Sequence, residues 1–167
     1  TLAACGNKSA SDTSTIKWAI PTEIQTLDIS KVTDTYSSLA IGNSGSNLLR
    51  VDKDGKLQPE LAEKVDVSAD GLTYTATLRD GIKWSDGSDI TAKDFVYSWQ
   101  RLVNPETASQ YAYLASDAHV LNADKINSGE IKDLNQLGVK AEGNKVIFTL
   151  TSPSPQFKSL LSFANFM

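Results

Sequence analysis

The stretch from Asp70 to Pro105, DGLTYTATLRDGIKWSDGSDITAKDFVYSWQRLVNP, constrains the fold of this chain most, because strand, turn and helix signals follow one another in it without a gap. After a turn at Asp70-Gly71, Tyr74, Ala76 and Leu78 point one way and Thr73, Thr75, Thr77 and Arg79 the other, as a half-buried strand requires. Asp80-Gly81 supplies a tight reversal, and Ile82 and Trp84 resume the alternation behind it. Ser85-Asp86-Gly87-Ser88 turns the chain again and delivers it to a helix. Thr91 can cap that helix, with Asp94 as the reciprocal partner of a capping box and Ile90 stapling onto Phe95. Phe95, Val96, Trp99, Leu102 and Val103 form one apolar stripe, and Asn104-Pro105 ends it. The spacing predicts a hairpin and a helix that share one core, with Trp84 and Trp99 both inside it.

The order of these elements carries more than a fold class. Gly71-Leu72-Thr73-Tyr74, Leu78-Arg79-Asp80-Gly81, Lys83-Trp84-Ser85-Asp86-Gly87 and Thr91-Ala92-Lys93-Asp94-Phe95-Val96-Tyr97-Ser98-Trp99 occur in a sequence that resembles the extracytoplasmic peptide-binding proteins of ABC importers, the oligopeptide- and dipeptide-binding family. Leu57-Gln58-Pro59-Glu60-Leu61-Ala62-Glu63 and Leu137-Gly138-Val139-Lys140-Ala141 match further elements of the same family. The resemblance runs from Ile16 to Met167, and the residues that carry it are structural ones.

Composition narrows the alternatives. The chain has 167 residues, a net charge of −4 and a pI near 4.9, with no basic cluster, which argues against nucleic acid as a partner. No apolar run is long enough to span a bilayer. A single cysteine leaves no internal disulfide and no multi-cysteine metal motif. His119 is the only histidine, and no nucleophile elbow accompanies it, so neither a histidine-based metal site nor a hydrolase triad is expected. Asp52-Lys53-Asp54-Gly55 has the opening spacing of a calcium loop but lacks the distal glutamate, and a plain turn is the better reading. No catalytic residue, metal or cofactor is expected.

Leu2-Ala3-Ala4-Cys5 matches the bacterial lipobox, in which small residues precede a cysteine that is lipidated and becomes the mature N-terminus. Residues 1–4 then read as a signal-peptide remnant. Residues 5–15 read as the lipidated cysteine and a flexible tether rich in Ser, Thr, Asn and Ala. Two or more acyl chains anchor stably where one holds only marginally, at about 0.8 kcal/mol per buried methylene.

Beyond the tether, Ile16, Trp18 and Ile20 alternate as a first strand that stops at Pro21. A helix is expected from Tyr36 towards Gly42, another from Asn122 to Gly129, and a last one over 155–164 with Ser154 as cap and Pro155 at its first position. The resemblance implies that the loop Val32-Thr33-Asp34-Thr35 lies against the backbone of a bound peptide and that Tyr111 lines the cleft. The better-studied oligopeptide binders carry an acidic residue at the Thr33 position, where this chain offers Asp34 one place later. Tyr suits a cleft wall, with a wide apolar face and a hydroxyl that can bond a peptide group.

The fold class expected is α+β, the N-terminal part of a two-lobed periplasmic-binding-protein-like fold. Residues 16–47 would be the first segment of lobe I and 48–167 its inserted subdomain, with lobe II absent and the chain cut short after an apolar run at Leu160–Met167. Strands at 64–68, 73–79, 138–141 and 145–150 would form an antiparallel sheet flanked by helices at 91–103 and 155–164. The function implied is capture of extracellular oligopeptides by backbone hydrogen bonding and delivery to a membrane permease. The full-length protein would be a monomer, lipid-anchored on the outer face of the cytoplasmic membrane of a Gram-positive bacterium. Three other readings stand beside it: a relative for dipeptides, glutathione or nickel chelates; a pheromone receptor, sensor or adhesin on the same fold; and a tethered surface hydrolase, for which no nucleophile–base pair is present.

Overall fold

The computed structural model describes residues 17–166, so Cys5, the lipobox and the 6–15 tether lie outside the described residues. The core is built around the segment that the sequence singles out. Helix α2 (Ala92–Val103) starts in the expected capping box. Asp94 Oδ2 accepts from the Thr91 N–H at 2.7 Å and from the Thr91 hydroxyl at 2.9 Å. Phe95, Trp99, Leu102 and Val103 are buried along one face of the helix.

That face meets a four-stranded antiparallel sheet of β3 (Ala62–Val67), β4 (Thr73–Leu78), β5 (Val139–Glu142) and β6 (Lys145–Thr149), in the order β3-β4-β6-β5. Tyr74 stands opposite Phe148 and Ala76 opposite Val146, so the alternating apolar positions of adjacent strands fall on one face. Trp99 sits over them, its ring centroid 5.1 Å from that of Phe148, 5.9 Å from Phe157 and 4.3 Å from Phe166. The Tyr74 hydroxyl, buried with its ring, donates to the Ser154 carbonyl at 3.1 Å. The β3 edge is blunted by exposed Glu63, Lys64 and Asp66 and by a register shift between Ala62 and Lys64.

Around this unit lie helix α1 (Thr35–Ser44), a hairpin of β1 (Leu49–Val51) and β2 (Leu57–Pro59), and the short helices α3 (Tyr113–Asp117), α4 (Ala123–Asn127) and α5 (Phe157–Leu160). The Asp52–Gly55 segment is the turn of the β1–β2 hairpin, with Asp52 Oδ1 accepting from the Asp54 and Lys56 N–H groups at 2.9 Å each.

Three expectations need correction. Residues 17–20 form no strand and Trp18 is 55% exposed, because no partner strand lies alongside them among the described residues. Trp84 does not share the core with Trp99 and is 50% exposed. The alternation past Gly81 runs into a small loop closed by bonds from the Trp84 N–H to the Ser88 carbonyl and from the Ile90 N–H to the Ile82 carbonyl, and Trp84 begins its turn, with the Gly87 N–H donating to the Trp84 carbonyl. The helix expected over 155–164 is broken after α5, and Ser154 does not cap it. Its later carbonyls are claimed from outside: the Leu49 N–H takes that of Leu161 at 2.9 Å and Asn47 Nδ2 takes that of Phe163 at 2.8 Å. The chain tightens instead into a 3₁₀ turn at Ala164–Phe166.

Candidate functional site

The loop before α1 is shaped by Asp28. Its backbone carbonyl accepts from the N–H groups of Lys31 and Val32, each at 3.0 Å, and its Oδ1 from the Ser30 N–H at 3.1 Å. The same carboxylate is gripped by both terminal nitrogens of Arg101 on α2, at 2.5 and 2.6 Å. A bidentate guanidinium–carboxylate pair fixes direction as well as distance. Arg101 is also the chief reason that the Asp28 carboxyl titrates below its ordinary value, with part of that gain cancelled by desolvation.

The four loop residues singled out in the sequence then divide by direction. Val32 is buried, and its carbonyl accepts from Asn165 Nδ2 at 3.2 Å. Asp34 is the cap of α1, with Oδ1 accepting from the Ser37 N–H at 2.8 Å. Hydrogen bonding from Ser37 holds its carboxyl below the usual range. Thr33 and Thr35 are exposed. Asp34, which the sequence offered in place of the acidic residue at Thr33, is therefore occupied with helix capping.

Tyr111 follows Ala108, which adopts a left-handed conformation at φ 54° and turns the chain after α2. Its N–H donates to Ser109 Oγ at 3.2 Å. Its half-buried ring meets Phe163 edge-on, centroids 6.0 Å apart, and lies 6.3 Å from Tyr113. Phe163 and Tyr113 are 42% and 51% exposed.

The segment Phe163–Phe166 joins these two regions. Asn165, itself buried, donates to the carbonyls of Ile29 (2.7 Å) and Val32 (3.2 Å), while Phe163 two residues earlier touches Tyr111. Sequence reasoning missed Phe163, Tyr113 and Asn165. The one signal on offer was Asn165 itself, a lone amide inside the apolar run Leu160–Met167.

A separate groove of about 660 Å³ runs between the 27–46 segment and the N-terminal half of α2, lined by Leu27, Ile41, Trp84, Phe95 and Tyr97 among others. None of Val32, Thr33, Asp34, Thr35 or Tyr111 lines it. The charges on its walls are already used: Lys83 pairs with Asp89, Asp94 caps α2, and Arg101 holds Asp28.

The profile of the bacterial extracellular solute-binding proteins, family 5 (middle region), matches residues 56–167. The chain belongs to this family. Members are solute-binding proteins. The chain is 49% identical over 162 residues to a dipeptide-binding protein of Lactococcus lactis subsp. cremoris, an alignment covering 96% of this chain and 29% of that relative. The substrate-binding domain of an oligopeptide ABC transporter from Bacillus anthracis superposes with a TM-score of 0.82 at 43% identity, covering 86% of this chain and 27% of that one. The pheromone receptor PrgZ superposes with a TM-score of 0.82 at 38% identity, covering 87% and 28%. The chain thus spans less than a third of the length of the relatives it matches. At these TM-scores and identities the described residues form part of a periplasmic-binding-protein-like fold, α+β in its local make-up.

Proposed function

We propose that the full-length protein is the substrate-binding lipoprotein of an ABC importer, capturing extracellular oligopeptides between two lobes and passing them to permease subunits in the membrane. In this reading residues 16–47 are the first segment of lobe I, 48–167 its inserted subdomain, and Cys5 the lipidated N-terminus on the outer face of a Gram-positive cytoplasmic membrane. Thr33 and Thr35 lie along the bound peptide's backbone, with buried Val32 and the helix-capping Asp34 setting their direction, and Tyr111 lines the same wall of the cleft.

The observation that supports this most is the Phe163–Phe166 bridge, which ties the 32–35 loop to Tyr111 through Asn165 and one aromatic contact. Two elements meant to touch one ligand need a rigid link, because misplacement is costly in a site built on hydrogen bonds. Each backbone bond to a peptide nets roughly 0.5–1.5 kcal/mol, so several together with cleft closure suffice for useful affinity without reading side chains. Calorimetric titration of a mixed oligopeptide library into the full-length protein tests the reading, with saturable binding expected. No heat with peptides of any length from two to nine residues would end it. The likeness to a pheromone receptor fits a second reading without favouring it, in which the same capture serves signalling. Uptake of a labelled peptide by cells with and without the gene separates the two.

A further inference from the structure

Beside Tyr111 stand two large aromatic side chains that the fold leaves half in water, Phe163 and Tyr113. Phe163 leans on Tyr111 and Phe166, with ring centroids 6.0 and 6.4 Å away, and still keeps much of its surface in water. Its N–H donates to the Leu160 carbonyl at 3.0 Å, and its carbonyl receives Asn47 Nδ2 at 2.8 Å and the Phe166 N–H at 3.0 Å. Two residues on, Asn165 is fastened to the 29–32 loop, and Phe166 is buried against Trp99. The backbone under Phe163 is therefore held on both sides while 42% of the residue faces solvent.

We propose that Phe163, with Tyr113, forms an aromatic pocket wall next to Tyr111 that selects peptides carrying an aromatic or large aliphatic side chain at one position. The proposal rests on the peptide-capture reading and adds side-chain preference to it. The chemistry separates the roles of the three rings. Tyr111 and Tyr113 carry hydroxyls, whereas Phe163 has no polar atom and can offer a ligand only apolar surface and ring edge or face. A peptide backbone gains little from such a surface, since its N–H and C=O groups lose water there without replacement. An apolar side chain gains from it, and a pre-set ring loses little freedom when the contact forms.

The test uses the full-length protein and a set of pentapeptides in which each position in turn carries Phe, Leu, Ala or Glu on a constant background. Wild-type protein should bind best when Phe or Leu occupies one particular position. Phe163→Ala, which also loosens the contact to Tyr111, should cost those peptides about tenfold more in affinity than it costs the Ala-containing ones, a difference of the size that aromatic contacts supply. Phe163→Tyr should keep the preference. Tyr113→Ala, on a separate element, should reduce it in the same peptide position and guards against a fold defect in the first variant. Uniform loss across all peptides, or no change in preference with either variant, would overturn the aromatic wall while leaving peptide capture intact. Absence of binding by wild-type protein would overturn the capture reading and this proposal with it.

Discussion

Trp99 is the largest fully buried side chain among the described residues, and it touches Phe148, Phe157 and Phe166 at once. Its replacement by Ala empties a position bounded by the sheet, α5 and the final turn together. The expected cost is about 3–5 kcal/mol in a urea melt. Gly138 is the opposite case, a residue whose value is having no side chain. A Cβ there would lie 2.5 Å from the Thr149 carbonyl oxygen and 2.7 Å from Leu121 Cβ. The backbones cannot separate cheaply, because the Gly138 N–H donates to the Leu121 carbonyl and the Leu121 N–H to that of Thr149, both at 2.9 Å. Gly138→Ala should therefore destabilise by about 1–3 kcal/mol. An unchanged melt would mean that the 119–122 loop does not press on the β5–β6 pair as described.

At the scale of elements, the pair Asp28–Arg101 is what fastens the loop before α1 to α2. Both side chains are roughly a quarter to a third exposed, so the pair is neither a surface ornament nor a dry ion pair. Asp28→Asn should cost about 1.5–3 kcal/mol at neutral pH, the range for a hydrogen bond to a charged group. The Asp28 carboxyl titrates below 3.8 in the folded protein, so its contribution is present above that value and lost as pH falls through the lower, folded one. The stability gap between wild type and Asp28→Asn, followed by melts from pH 7 down to pH 2, should be constant at first and close below about pH 4. A gap that widened in acid would contradict the assignment. What was readable at this scale follows the reach of the interactions involved. Helix α2, β4 and the β5–β6 pair are set by capping, alternation and turns within about a dozen residues, and the sequence contains all of these signals. The β1–β2 hairpin, with strands of three residues each, is too short to show a period. The break after α5 is caused by Leu49 and Asn47, more than a hundred residues earlier, and no local pattern announces it. The candidate site was half readable for the same reason. Its members at 32–35 and 111 came from motif positions, and the capping role of Asp34 is local, whereas the burial of Val32 and the bridging role of Asn165 depend on tertiary contacts.

At the scale of the whole molecule, the question is what 167 residues can do when the relatives they match are more than three times as long. In the proposed mechanism a peptide is enclosed between two lobes, and the 32–35 loop with Tyr111, Tyr113 and Phe163 forms part of one wall. A single wall offers fewer backbone partners, and those it has compete with water instead of acting in an enclosed, low-dielectric space. Closure, which excludes solvent and orders the ligand, needs the facing lobe. Residues 1–167 expressed alone should therefore keep the fold, since the α2–sheet core is contained within them, yet bind oligopeptides far more weakly than the full-length protein. Circular dichroism should report a cooperative melt, and calorimetry with the library that saturates the full-length protein should show no measurable heat. Tyr111→Ala in the full-length protein should weaken binding to many peptides alike, because its hydroxyl and ring address features common to all of them. Tight peptide binding by residues 1–167 would locate the whole site within this stretch, and the two-lobed capture mechanism would have to be abandoned for a single-lobed one.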